Sequence, residues 1–364
     1  MRSFPGASRL AGVILVLMGF SGCLRQRVAV EIVRAPNHRP PRADLRLTNF
    51  AAFRDRADRM YAAAWTVPVG PPAAALSVAV VNPGDYRLKH SVGPLKLTDG
   101  RVAFGPTTEW AYPPRALRGG GAPLATVFVL PGYTDSKESL LFWALFLAQH
   151  HYRAILVDLR GQGRSTGDWI TYGAVEHQDL GQVLDDAARR GWIAGPVAAL
   201  GVSYGASIAL QWAGHDGRVK TVVALEPFSD PRRAVIDFAR AVEPQVARYF
   251  SDAAFGAAED RAAQLAHFSW ADASVLGSVA RTAAPIFYVY AVHDHWVPPE
   301  NTLKLAARTK SPHAVMSVHF TNTGTIDDHL MLSWMLEVGV GPEVIQWLGA
   351  TVGGGKLGDF GQRN

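Results

Sequence analysis

Between residues 125 and 348 the chain alternates short, continuously apolar runs with longer segments whose apolar positions recur at helical spacing. The runs fall at 125–130, 153–158, 197–201, 219–225, 286–292 and 314–320. Continuous apolar character, without polar alternation, marks strands buried on both faces. The helical segments are 137–150, about 175–190, the stretch after Ser203 through Trp212, and about 329–348. Strands and helices in strict alternation predict an α/β architecture, a mostly parallel sheet with helices on both faces and ligands at the carboxyl ends of the strands.

Two regions depart from this rhythm. Upstream, Leu47, Phe50, Ala57, Met60, Tyr61 and Ala64 predict an amphipathic helix over 44–65, ended by the proline cluster at 68–72. Residues 76–81 and 96–110 predict strand and turn, an antiparallel start to the sheet. Downstream, the segment between Asp230 and Ala284 is too long for an ordinary connection. Val235, Phe238, Val242, Val246 and Tyr249 form a helical stripe, followed by Phe255, Leu265, Phe268 and Trp270, so 231–284 reads as a helical cap insertion. The predicted core is therefore 44–230 with 285–350, followed by a flexible tail over 351–364.

Composition excludes some classes. With 364 residues, 48% hydrophobic and 18% charged, this is a globular chain able to bury a large core. The formal charge of +5 comes from scattered Lys and Arg, with no basic run and no nucleic-acid motif, so no nucleic-acid partner is expected. A single cysteine, Cys23, excludes intramolecular disulfides and cysteine zinc sites.

The candidate chemistry centres on Gly201-Val202-Ser203-Tyr204-Gly205, where the third run passes into a helix. A G-x-S-x-G turn forces its serine into a strained conformation at the sheet edge, and the helix start aims free N–H groups at the same place. A serine hydroxyl is a poor nucleophile without a base, and the base needs an acceptor. In this chain order the partners follow as acid, then histidine. Asp294 lies just after the fifth run and His329 after the sixth. The residues alone leave His319 and His313 as rival bases, and Asp230, after the fourth run, as rival acid; Asp327 and Asp328 adjoin the base. His293 and His295 flank Asp294, but alternate residues at a strand end point opposite ways, so no metal site is expected. No cofactor is expected either: neither a dinucleotide fingerprint nor a P-loop is present.

Five segments in order, Leu130-Pro-Gly-Tyr133, Val157-Asp-Leu-Arg-Gly-Gln-Gly-Arg-Ser165, the serine turn, His293-Asp-His-Trp-Val-Pro298 and Asp328-His329, resemble the α/β-hydrolase superfamily, near its serine aminopeptidase and acyl-esterase branch. The resemblance spans 125–348 and departs where the family often has His-Gly and this chain has Pro131-Gly132. It implies Ser203 as nucleophile, His329 as general base, Asp294 as orienting acid, and the backbone N–H groups of Tyr133 and Tyr204 as oxyanion donors. It also implies a serine hydrolase acting on a small acyl ester, or on an amide. Asp158, Arg160 and Gly161 to Gly163 are expected to hold the adjoining loop by hydrogen bonds, and Glu176 and Asp179 to favour a helix dipole. Aromatic residues of the insertion, with Trp143 and Trp169, are expected around the site.

The first residues carry a separate message. Arg2 and Arg9 precede an apolar run over 10–20 that ends in Phe20-Ser21-Gly22-Cys23. This resembles a bacterial lipoprotein signal, with Phe20 in place of the usual Leu. It implies cleavage after Gly22, lipidation of Cys23, a proline-containing tether over 23–43, and membrane attachment through the lipid. With Leu24 rather than Asp after the cysteine, the expected location is the outer membrane, facing the periplasm.

Overall fold

The computed structural model describes residues 21–39, 50–96, 102–242, 244–248, 250–320, 328–336 and 339–360. Residues 1–20 of the expected signal, 40–49, Tyr249, Asp327 and 361–364 lie outside them. In chain order the first elements are α1 (Ser21–Val33), α2 (Phe50–Asp58), β1 (Ala63–Val69), β2 (Ala74–Val81), β3 (Lys89–Lys96) and β4 (Val102–Glu109). Then come β5 (Thr126–Leu130), α3 (Leu141–Gln149), β6 (Arg153–Val157), α4 (Glu176–Arg189), β7 (Val197–Val202), α5 (Tyr204–His215) and β8 (Val219–Leu225). The insertion contributes α6 (Pro231–Val242), α7 (Pro244–Ala247), α8 (Asp252–Leu265) and α9 (Val275–Val279). The chain continues through β9 (Ile286–Ala291), α10 (Glu300–Arg308), β10 (His313–Val318), α11 (Asp328–Trp334) and α12 (Val340–Thr351).

One sheet organises these elements, in the order β1-β2-β6-β5-β7-β8-β9-β10. β1 and β2 are antiparallel, and from β6 to β10 every neighbour is parallel. The central strands β5 and β7 are buried along their whole length, as their continuous apolar runs require, whereas edge strand β10 alternates exposed and half-buried positions. Two apolar layers lie on the two faces. In α3 every residue from Leu141 to Ala148 is buried, so it carries no polar stripe. In α4 the buried Leu180, Val183, Leu184 and Ala187 form one face of an amphipathic helix.

Several expectations change. Residues 44–65 are not one helix: α2 ends at Asp58, and Ala63, Trp65, Val67 and Val69 enter β1, an edge strand. β3 and β4 form a separate two-stranded sheet. The last helical segment is two helices: α11 ends at Trp334, and α12 starts after Gly339, its N-cap at φ +101°. The expected tether begins instead as α1, with Ala29 and Val33 fully buried, and Arg34 bridging Trp169. The expected tail is packed as far as Phe360, whose ring meets Phe287 and Trp347.

Candidate active site

The carboxyl ends of β5, β7, β8 and β9 each carry a candidate residue. At the end of β7, Ser203 holds φ 52° and ψ −112°, a left-handed conformation that a non-glycine residue rarely adopts. Its N–H donates to Leu225 O at 2.7 Å, tying the turn to β8. The two flanking glycines are sterically required: a Cβ on Gly201 would sit 2.3 Å from Gly205 O, and one on Gly205 would sit 2.3 Å from Leu130 O. Ser203 therefore stands at the N-cap of α5, beside the loop that follows β5.

That loop carries Gly132, Tyr133 and Asp135. Gln162 donates from Nε2 to Gly132 O at 3.0 Å, and Asp158 accepts from the Lys137 N–H at 2.6 Å and the Arg164 N–H at 2.9 Å. Arg160 and Asp179 pair through two bonds of 2.9 and 2.8 Å. The 158–163 loop thus holds its neighbour in place by hydrogen bonds, as expected. Glu176 does more than favour a dipole: it is buried and accepts from the N–H groups of Thr171 and Gly173 and from the Tyr204 hydroxyl at 3.0 Å. It anchors the residue that follows Ser203.

Across the sheet, His329 and Asp294 are buried and bonded, Nδ1 to Oδ2, at 2.7 Å. The other oxygen of Asp294 accepts from the N–H groups of Trp296 and Val297 at 2.8 and 2.7 Å, which fixes the carboxylate. Of the rival residues, Asp230 is exposed and accepts from the Arg232 N–H at 2.9 Å, capping α6. His319 meets His293, Nε2 to Nε2, at 3.1 Å, and His313 contacts Ser311 O at 3.0 Å through Nδ1.

One acidic residue here has no counterpart in the sequence reading. Glu226, immediately after β8, is fully buried at φ 56° and places Oε2 3.5 Å from His329 Nδ1. Its signal was a carboxylate directly after an apolar strand neighbouring the serine strand. Glu226, Asp294 and His329 offer ligand atoms within 4.8 Å of one another. The 2.7 Å separation of Nδ1 and Oδ2 is that of an N–H···O hydrogen bond.

The charge on His329 also reaches Asp135. Burial pushes the Asp135 carboxyl up to about 6, and the His329 imidazolium opposes that rise. The residue as a whole is nevertheless exposed, so it is the carboxyl end of the side chain that burial acts on. A Cβ on Gly132 would lie 3.2 Å from Asp135 Oδ2 and 3.8 Å from Ser203 Cβ, so this carboxyl and the serine share a neighbourhood.

Aromatic rings connect these loops to the insertion. Tyr133 meets Phe238 at 5.6 Å between centroids, Phe238 meets Trp296 at 5.6 Å, and Trp296 meets His329 at 5.3 Å. Phe238 is thus the insertion aromatic that touches the site loops. Phe250 and Phe255 belong to a small cluster with Ile236, while Trp270 packs between Phe268 and Tyr172. Trp143, expected near the site, lies in the opposite apolar layer and donates to Ser333 O at 3.0 Å, and Trp169 packs beside Arg34.

Comparison with known proteins bears on the fold. Residues 110–268, less than half of the chain, match the family model of the X-Pro dipeptidyl-peptidases (S15 family). No curated protein matches the sequence. An esterase from Pyrococcus furiosus aligns with TM-score 0.53 at 17% identity, over 86% of this chain and 100% of its own. The 2,6-dihydroxy-pseudo-oxynicotine hydrolase aligns with TM-score 0.53 at 14% identity, over 83% and 72%. A puromycin-hydrolysing peptidase from Mycobacterium tuberculosis aligns with TM-score 0.51 at 17% identity, over 80% and 40%. Together they support a hydrolase of ester or peptide bonds, and the parallel sheet with its helices has the α/β-hydrolase fold.

Proposed function

We propose that the protein is a serine hydrolase that cleaves a carboxylic ester through an acyl-enzyme on Ser203, His329 and Asp294. The observation that carries this reading is the 2.7 Å bond between buried His329 and Asp294, on the same sheet edge as a serine in a strained turn. In this mechanism Ser203 Oγ attacks the carbonyl carbon while His329 Nε2 takes its proton, and Asp294 holds Nδ1–H and stabilises the imidazolium. The N–H groups of Tyr133 and Tyr204 receive the developing oxyanion. His329 then protonates the leaving oxygen, and water, deprotonated by His329, releases the acid. Phe238 and Trp296 give the site an apolar wall, which suits a short or medium acyl group because each buried methylene contributes about 0.8 kcal/mol.

A second reading, hydrolysis of a peptide or other amide bond, is favoured by the S15 match and by Asp135. A carboxyl near the serine is placed to meet a free amine. Labelling with a fluorophosphonate, followed by a panel of chromogenic acyl esters and aminoacyl anilides with Ser203→Ala as control, tests both. Preference for esters supports the first reading and preference for anilides the second. Absence of labelling and turnover would leave the fold serving as an envelope binding scaffold.

For location, we propose that Cys23 is lipidated and holds the protein on a membrane, in the outer membrane facing the periplasm. No helix among the described residues is long and apolar enough to cross a membrane. A membrane fraction that retains wild type and releases Cys23→Ser supports the anchor; equal recovery of both in the soluble fraction rejects it.

A further inference from the structure

The catalytic base has two buried carboxylates within reach and one Nδ1 proton to offer. Asp294 takes the near position at 2.7 Å, and Glu226 Oε2 stands at 3.5 Å from the same nitrogen. They approach from separate strands: Asp294 follows β9, while Glu226 ends β8 and is pinned by its N–H donating to Val289 O at 2.8 Å. Glu226 is fully buried, and its φ of 56° is a strained conformation for a residue of this kind. Burying a carboxylate beside another acid is costly unless a cation or a shared proton compensates. The group both acids face is the His329 ring. Among the described residues Asp135, on the loop after β5, is a further titratable group that interacts with the ring from a different element.

We propose that Glu226 is a positioning residue for the base, a second carboxylate that shares the Nδ1 proton with Asp294 and takes it over when Asp294 cannot hold it. This rests on His329 acting as the base in the reaction proposed above.

The geometry explains why the takeover works in one direction. Asp294 Oδ1 is committed to the N–H groups of Trp296 and Val297, so in Asp294→Asn the amide oxygen keeps those bonds and the NH₂ group faces His329. An amide donor facing Nδ1 would force the proton to Nε2, the wrong tautomer to accept one from Ser203. A shift of under about 1 Å brings Nδ1–H to an ordinary hydrogen-bond distance from Glu226 and restores the working tautomer. In wild type, Glu226 adds a negative charge that favours the imidazolium formed on attack.

The experiment is a double-mutant cycle on the full chain, with kcat read on whichever chromogenic substrate wild type turns over. Loss of the acid from a triad that has no other carboxylate costs on the order of 10⁴ in kcat. Here Asp294→Asn is expected to cost about 10², Glu226→Gln less than about tenfold, and the two together about 10⁴, because the second substitution removes the substitute. Glu226→Gln in an otherwise wild-type chain is also expected to move the acid limb of the kcat/KM profile to lower pH, which a purely structural role would not do. Glu226→Asp, which retains the charge, should keep that limb near wild type. An equal fold-loss from Glu226→Gln in both backgrounds, with an unmoved acid limb, overturns the proposal. Should Glu226→Gln fail to fold, Glu226→Asp is compared in the two backgrounds: a larger loss beside Asp294→Asn supports it and an equal loss overturns it. Failure of wild type to react with fluorophosphonate would overturn the hydrolase reading itself and this inference with it. Labelling with an additive cycle overturns this inference alone.

Discussion

Two buried charged clusters occupy the same edge of the sheet, and they are built on opposite principles. At the ends of β5 and β6, Lys137 binds Asp158 and Glu138 at 2.8 and 3.0 Å, and Arg164 binds Asp58 at 2.8 Å and approaches Glu138 at 3.7 Å. Cations and acids there are nearly matched, and their backbone bonds fix a loop. At the ends of β8 and β9, Glu226 and Asp294 face one imidazole, whose charge depends on whether it has taken a proton. In the first cluster fixed cations stand against the acids in the resting state, with no group that gains or loses a proton during the reaction. In the second cluster the two acids face a ring that becomes charged during serine attack. Buried charge marks both places, and the balance of charge tells structure from chemistry.

The comparison breaks most sharply at the serine. Ser203→Ala and His329→Ala are each expected to remove on the order of 10⁴ to 10⁶ in kcat, and Ser203→Ala to leave the melting temperature within a few degrees of wild type. A thermal melt beside a turnover assay checks both halves. Lys137→Met should do the reverse: it leaves buried Asp158 and Glu138 uncompensated, costing about 3–5 kcal/mol of stability in urea unfolding. The surviving folded protein should keep kcat within about tenfold of wild type; a catalytic loss larger than the stability loss would erase the distinction.

Asp230→Ala sharpens the assignment of the acid. Removing the cap of α6 should cost about 1 kcal/mol, with kcat unchanged. Were this change silencing and Asp294→Asn harmless, the acid would be misassigned.

The smallest effect is a pH dependence. The folded-state value of Asp135, raised by burial to about 6, means the folded protein holds that proton more tightly than the unfolded chain does. Its stabilising contribution is complete below the unfolded value and lost as pH rises through about 6. Wild type should therefore gain stability over Asp135→Asn when urea unfolding is repeated at pH 5 instead of pH 7. An unchanged difference would place the carboxyl in open water.

What could be read in advance was what declares itself locally. β5 to β9 are mostly apolar runs, nearly all buried, because helices cover both faces, and such runs stand out in any window. The G-x-S-x-G turn is legible because no other residue fits where Gly201 and Gly205 meet neighbouring backbone. Strand ends and chain order named Asp294 and His329 but left Asp230, His313 and His319 beside them; the bond that joins the first two belongs to the fold. What was hidden depends on partners distant in sequence. β1 is an edge strand whose first residues, Ala63 to Trp65, fall where Ala57, Met60, Tyr61 and Ala64 continue a helical spacing. Glu226 has no motif of its own, and only the pairing of β8 with β9 sets it beside a histidine more than a hundred residues later. The aromatics of the insertion could be counted but not aimed: Phe238 faces the site loops, while Phe250 and Phe255 face each other.

The seating of α1 bears on how an anchored enzyme would search. A flexible tether of about twenty residues would have a reach of roughly 25 Å, enough to sample a volume above the bilayer. Instead Cys23 lies within the first turn of α1, Gln26 bonds Arg261 of α8 at 2.9 Å, and Ala29 and Val33 are fully buried. Were the chain anchored at Cys23 as proposed, only Leu24 and Arg25 would separate the lipidated residue from Gln26, which is bonded to the insertion. Encounter would become a two-dimensional process, its rate following the mole fraction of substrate in the membrane plane rather than the bulk concentration.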